Sequence, residues 1–60
     1  MWIARDKSIS LYLFEDKPYK NTDYNEWLSN GESYSLDSSL FPEVQWDDEE
    51  PTEIEITIKK

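Results

Sequence analysis

Trp2-Ile3-Ala4-Arg5-Asp6-Lys7-Ser8-Ile9-Ser10-Leu11-Tyr12-Leu13-Phe14 is the stretch on which the fold turns. Ile9, Leu11 and Leu13 alternate with Ser10, Tyr12 and Phe14, the period of two that a strand resolves into two faces. Both faces carry apolar groups, so this strand is expected at the centre of its sheet. Trp2-Ile3-Ala4-Arg5 reads as its partner. Asp6-Lys7-Ser8 is a polar connection of hairpin length.

Residues 15–26 are polar and include Pro18, Asn21, Thr22 and Asp23, the composition of a loop. Trp27-Leu28-Ser29 and Glu32-Ser33-Tyr34-Ser35-Leu36 flank Asn30-Gly31, a strong hairpin signal that would set Trp27 opposite Tyr34. A short helix over 22–29 is the rival reading, with Thr22 as cap and Gly31 as its end. Asp37-Ser38-Ser39-Leu40-Phe41-Pro42 predicts one capped helical turn near 38–41 that tucks Leu40 and Phe41 into the core. Pro42 forbids its continuation. Val44 and Trp46 alternate with Glu43, Gln45 and Asp47, as in a strand with one wet face. After the charged connection Asp48-Glu49-Glu50-Pro51, Ile54, Ile56 and Ile58 alternate with Glu53, Glu55 and Thr57, the cleanest period-two pattern in the chain. The expectation is one all-β domain over residues 1–60. It has about five short antiparallel strands around one core, a sheet that can curl into a partly open barrel.

Sixty residues bury only about 60% of their unfolded surface, so the stability available is small. The chain has no Cys and no His, which removes both the disulfide and the Cys/His zinc site as a staple. Apolar burial or self-association must supply the stability. Three Trp and four Tyr, each able to bury roughly 150–250 Å², favour a folded chain over a disordered one. The longest apolar run, Leu11 to Phe14, is far below the ~18–20 residues of a spanning helix. The first residues lack the basic and apolar regions of a signal peptide. A soluble cytoplasmic protein with no membrane contact is expected.

The missing residues narrow the chemistry. Without His there is no imidazole base and no Ser-His-Asp triad, and without Cys no thiol catalysis. A single glycine, Gly31, cannot build a glycine-rich phosphate loop. Paired carboxylates can hydrolyse glycosides, but they need a water-excluding cleft for which this chain has little room. The expectation is a protein that is not an enzyme and holds no cofactor and no metal. Asp47-Asp48-Glu49-Glu50 could gather Ca²⁺ or Mg²⁺, yet it lacks the spaced ligands and glycine of an EF-hand loop. It reads as a solvated acidic connection.

Charge is the remaining signal. Between Asn21 and Ile58 stand eleven acidic side chains and no Lys or Arg, and the formal net charge is −8. Such a body opposes direct nucleic-acid binding and attracts cationic surfaces. If the last two strands pair, Glu43, Asp47, Glu53 and Glu55 share one side. Same-face neighbours on a strand lie about 6.6–6.8 Å apart, near two axial steps of a phosphate backbone. The plainer reading is a solubilising surface that blunts an edge strand. Tyr19 and Tyr24, in the polar loop, are the aromatic residues expected to be exposed. They join the four carboxylates as candidate partner contacts. The function expected first is a protein-binding or adaptor module for an unknown protein with a basic surface. The alternatives are a DNA mimic that inhibits a nucleic-acid-binding protein, and a structural homo-oligomer that pairs its last strand across a two-fold.

Trp2-Ile3-Ala4-Arg5-Asp6-Lys7, Leu11-Tyr12-Leu13-Phe14, Leu40-Phe41-Pro42-Glu43-Val44, Trp46 and Pro51 carry one further observation. In these residues the chain resembles a group of small uncharacterised proteins of gut bacteria, their phages and mobile elements. The residues that carry the resemblance are structural, so it implies a small accessory protein and assigns no functional residue.

Overall fold

A computed structural model describes residues 1–55. The fold is all-β, and the described residues form six short strands in two antiparallel sheets. They are β1 (Trp2–Arg5), β2 (Leu11–Phe14), β3 (Tyr19–Asn21), β4 (Glu26–Leu28), β5 (Ser33–Leu36) and β6 (Thr52–Glu53). The first sheet has the order β5-β2-β1-β6, and β3 and β4 form the second. Neither sheet closes into a barrel. Strands of two to four residues are too short to tilt and stagger as closure requires. Among the described residues no helix is long and apolar enough to cross a membrane.

The β1–β2 hairpin forms as its alternation dictates, with Trp2 opposite Phe14 and Arg5 opposite Leu11. β2 lies inside the sheet, between β1 and β5. The hairpin connection is longer than expected. The Asp6 amide donates to Ser10 O at 2.8 Å and the Ile9 amide to Asp6 O at 3.0 Å, which puts Ile9 in the loop rather than in β2. Ile9 has φ 83°, the left-handed position that a three-residue hairpin loop usually gives to glycine.

The middle of the chain departs from both readings of it. Residues 19–21, expected as loop, pair with β4, so that Lys20 and not Tyr34 stands opposite Trp27. No helix forms over 22–29. The turn between the two strands is held by Asn21, whose Oδ1 accepts from the amides of Asp23 and Tyr24 at 3.0 and 3.2 Å. Asn30-Gly31 is no hairpin turn, and no glycine has positive φ. Gly31 lies against Asp16, where a Cβ would come 2.5 Å from Oδ2 and force that exposed side chain to move. β5 instead adds to β2, with Leu36 opposite Leu11 and Tyr34 opposite Leu13. That pairing satisfies more backbone than a hairpin with the three-residue β4 could.

Residues 37–48 are a series of turns. Asp37 Oδ1 accepts from the Ser39 amide at 2.9 Å and the Ser39 hydroxyl at 2.8 Å, and the Leu40 amide donates to Asp37 O. The capped turn is therefore present, but it is not helical. It leaves Leu40 and Phe41 exposed at 46% and 38%, so they do not enter the core. The strand expected over Val44 to Trp46 is absent as well. The Val44 amide donates to Phe41 O and the Asp48 amide to Gln45 O, which bends the segment twice. Val44 and Trp46 consequently pack on opposite faces of the first sheet. The final strand pairs with β1 through Thr52 and Glu53. Ile54 packs on the core, and the expected continuation through Ile56 to Ile58 lies outside the described residues.

The described residues form two small cores rather than one, on the two faces of the first sheet. Ile3, Leu11 and Val44 form one, with Leu13, Leu36 and Ile54 packed against it. Ala4, Phe14 and Trp27 form the other, with Trp2, Tyr12 and Trp46 around them. The pleat accounts for the division, since consecutive residues of β1 and β2 point to opposite sides.

Candidate functional site

Both layers meet at Arg5-Asp6-Lys7, the end of β1. Arg5 is the only arginine of the chain and is 8% exposed. Among the described residues it pairs with no carboxylate. Its Nε donates to Val44 O at 2.6 Å, Nη1 to Ile9 O and Ser38 O at 2.8 and 2.9 Å, and Nη2 to Leu40 O and Phe41 O at 2.8 and 3.1 Å. All five guanidinium donors are thus satisfied by main-chain carbonyls. A buried cation needs such compensation. Five acceptors from segments without regular structure give that loop its shape.

Asp6 faces the other layer. Its Oδ1 accepts from the Trp27 amide at 2.9 Å, the Trp27 indole Nε1 donates to Arg5 O at 3.0 Å, and the Lys7 amide donates to Asn25 O at 3.2 Å. Burial raises the Asp6 carboxyl above its ordinary value. The Trp27 amide opposes that shift, and the nearby Glu26 carboxylate adds to it. The second sheet is therefore docked on the first through one short segment. Lys20 closes the same side, with Nζ 4.6 Å from the Trp46 ring centre, 5.3 Å from that of Trp27, and 2.5 Å from Trp46 O. The two indoles meet edge to face at 6.4 Å.

Two shallow clefts open on either side of Asp6-Lys7. One, of about 350 Å³, runs to Tyr24, Asn25 and Glu26. The other, of about 390 Å³, runs to Ile9, Gln45, Trp46 and Asp47. Tyr24 and Asp47, two of the candidate contact residues, thus border neighbouring clefts. The first cleft is lined by two carboxylates, Asp6 and Glu26.

The other candidates are dispersed. Glu43 and Asp47 sit in turns and Glu53 on β6. β6 pairs with β1 rather than with residues 43–47, so the expected ladder of Glu43, Asp47, Glu53 and Glu55 does not form. Its premise fails because the bends at Val44 and Gln45 take that segment out of any sheet. All four carboxylates are exposed. Tyr19 and Tyr24 are 55% and 73% exposed. Among the described residues no three acidic side chains converge on a point that could hold a cation. Sequence reasoning missed Arg5 and Asp6. The available signal was a lone arginine, followed by an acid, at the end of an otherwise apolar strand. In comparisons with models of protein families, with curated proteins and with solved structures, nothing matches this chain.

Proposed function

We propose that this protein is a non-enzymatic binding module of the cytoplasm that recognises the basic surface of another protein. The observation that supports this reading is the lack of internal compensation for its charge. Among the described residues there is one ion pair, Lys17 with Glu50 at 3.5 Å, between two exposed side chains. The remaining acids project their field outward, where it steers a cationic partner and raises its on-rate. A small accessory protein that acts by occupying a partner has no need of a catalytic cleft. The DNA-mimic alternative loses the regular spacing that suggested it, because the acids form no common ladder.

The test is a tagged pull-down from host lysate, eluted in steps of salt, with each partner then purified and titrated. A basic protein released at modest salt, and bound at least tenfold more weakly when Glu43, Asp47 and Glu53 are all changed to Gln, is the expected result. Partners indifferent to salt and to those changes would overturn the reading. Competition by DNA at the same site would promote the mimic. A mass above 7.2 kDa in light scattering, with no foreign partner, would promote the oligomer.

A further inference from the structure

Ile9, Leu40 and Phe41 are exposed at 63%, 46% and 38%. Ile9 lies more than thirty residues before the adjacent Leu40 and Phe41, yet the carbonyls of all three accept from the Arg5 guanidinium, at 2.8, 2.8 and 3.1 Å. One buried cation thus draws the main chain at three large, exposed apolar residues to a single guanidinium. Two of them are held against their backbone preference. Ile9 has φ 83° and Phe41 φ 49°, where glycine or asparagine would sit without strain, and for a β-branched residue this is a true outlier. A strained residue with an exposed apolar side chain does little for the fold. Its side chain points to a use outside it. The surroundings are acidic. Asp37 caps the turn that carries Leu40, Glu43 follows Phe41 by two residues, and Asp47 lines the cleft with Ile9. The same cleft holds two cations, Lys7 and Arg5, and the Arg5 guanidinium is already taken up by main-chain carbonyls.

We propose that Ile9, Leu40 and Phe41 form an apolar anchor, ringed by Asp37, Glu43 and Asp47, that docks into an apolar groove with a basic rim on a partner protein. This rests on the reading of the protein as a module for basic surfaces and adds the contact that holds once charge is screened. Burial of an apolar centre inside a charged rim is the usual distribution of binding energy at an interface. Rigid preorganisation by Arg5 lowers the ordering cost of binding.

The experiment is an amide NMR titration of the labelled full chain with two synthetic peptides of equal positive charge. One is amphipathic, with Leu on one helical face and Lys on the other. The second has Ser in place of every Leu. Both are expected to bind at low salt. In about 1 M salt, where the Debye length is about 3 Å, only the Leu/Lys peptide should remain bound, with its largest shifts at residues 8–10 and 38–43. The double variant Ile9→Gly/Phe41→Gly should weaken that binding about tenfold or more. It should melt no lower than the parent and keep its low-salt affinity for the Lys/Ser peptide. Leu40→Ser, which touches no left-handed position, should weaken it in the same direction, and Tyr24→Ser should not. Salt-resistant binding that ignores these variants, or that shifts other residues, would overturn the anchor and leave the acidic reading standing. Failure of both peptides at low salt would overturn the acidic reading itself.

Discussion

At the scale of single residues, Arg5 ties the turns over residues 38–44 to the end of β1. Arg5→Met keeps the aliphatic stem but leaves five carbonyls without their donor. An unsatisfied buried polar group costs about 1–3 kcal/mol, and part of this loop can recover water. A loss of about 2–4 kcal/mol is expected in urea denaturation, with hydrogen exchange rising first over residues 38–44. Ile9→Gly should act in the other direction. Relief of a left-handed β-branched residue is worth about 1 kcal/mol, which in a domain of this size raises Tm by about 4–8 °C. A fall in Tm would mean that the Ile9 side chain stabilises the monomer and is not kept for an outside partner. Asp6 supplies a prediction in pH. Folded Asp6 holds its proton more tightly than the unfolded chain, so stability falls as pH rises from about 3.8 through the raised folded value. Asp6→Asn keeps an acceptor for the Trp27 amide and removes that loss. The variant should be as stable as the parent or more so at pH 7, and flatter across the acidic window. Asp37 works in the opposite sense. Its carboxylate is lowered by bonds from the Ser39 amide and hydroxyl, so the stability it lends is present above its ordinary value and lost as pH falls below it.

Elements show where short-range patterns suffice and where they fail. The β1–β2 hairpin was legible because alternation and a short polar connection are local facts, and local contacts close at little entropic cost. The Asn30-Gly31 signal was equally local and misled, because Gly31 makes no positive-φ turn and lies instead against the Asp16 side chain. Gly31→Ala should therefore destabilise the chain through collision with Asp16, and Asp16→Ala should rescue most of the loss. A double-mutant cycle in urea measures that coupling. If Asp16→Ala gives no rescue, the glycine is required for backbone reasons instead. The alternation at Val44 and Trp46 was read as a strand with both residues on one face. Each is indeed sheltered, but under a different core, since two bends between Phe41 and Asp48 carry the chain from one side of the sheet to the other. Period-two patterning cannot tell a strand from a strap that crosses an edge, because both alternate apolar and polar groups.

For the whole molecule, net charge governs the response to solvent. With a formal charge of −8 and one exposed ion pair among the described residues, repulsion outweighs attraction. Raising the salt from about 0.01 M to 0.5 M, which shortens the Debye length from about 30 Å to less than 8 Å, should raise the urea midpoint. A midpoint that fell would show that attractive contacts such as those of Lys20 dominate. Of the candidate contact residues, their types and their exposure were legible in the sequence, while their grouping was not. Glu43, Asp47, Glu53 and Glu55 were placed on one ladder by assuming a strand that the turns abolish. Ile9, Leu40 and Phe41, whose carbonyls share the Arg5 guanidinium and whose side chains are exposed, had been assigned to a strand and a core. The sequence by itself determined the all-β class, the first hairpin and the central place of its second strand. It also determined the absence of His and Cys chemistry and the outward acidic field, since each follows from composition or from neighbours within a few residues. Only the tertiary structure decided the pairing of β5 with β2, the division into two cores and the hub at Arg5. The reason is distance along the chain. The acceptors that satisfy the guanidinium include carbonyls 33 to 39 residues away, and no local pattern announces a partner that exists only once the chain has folded.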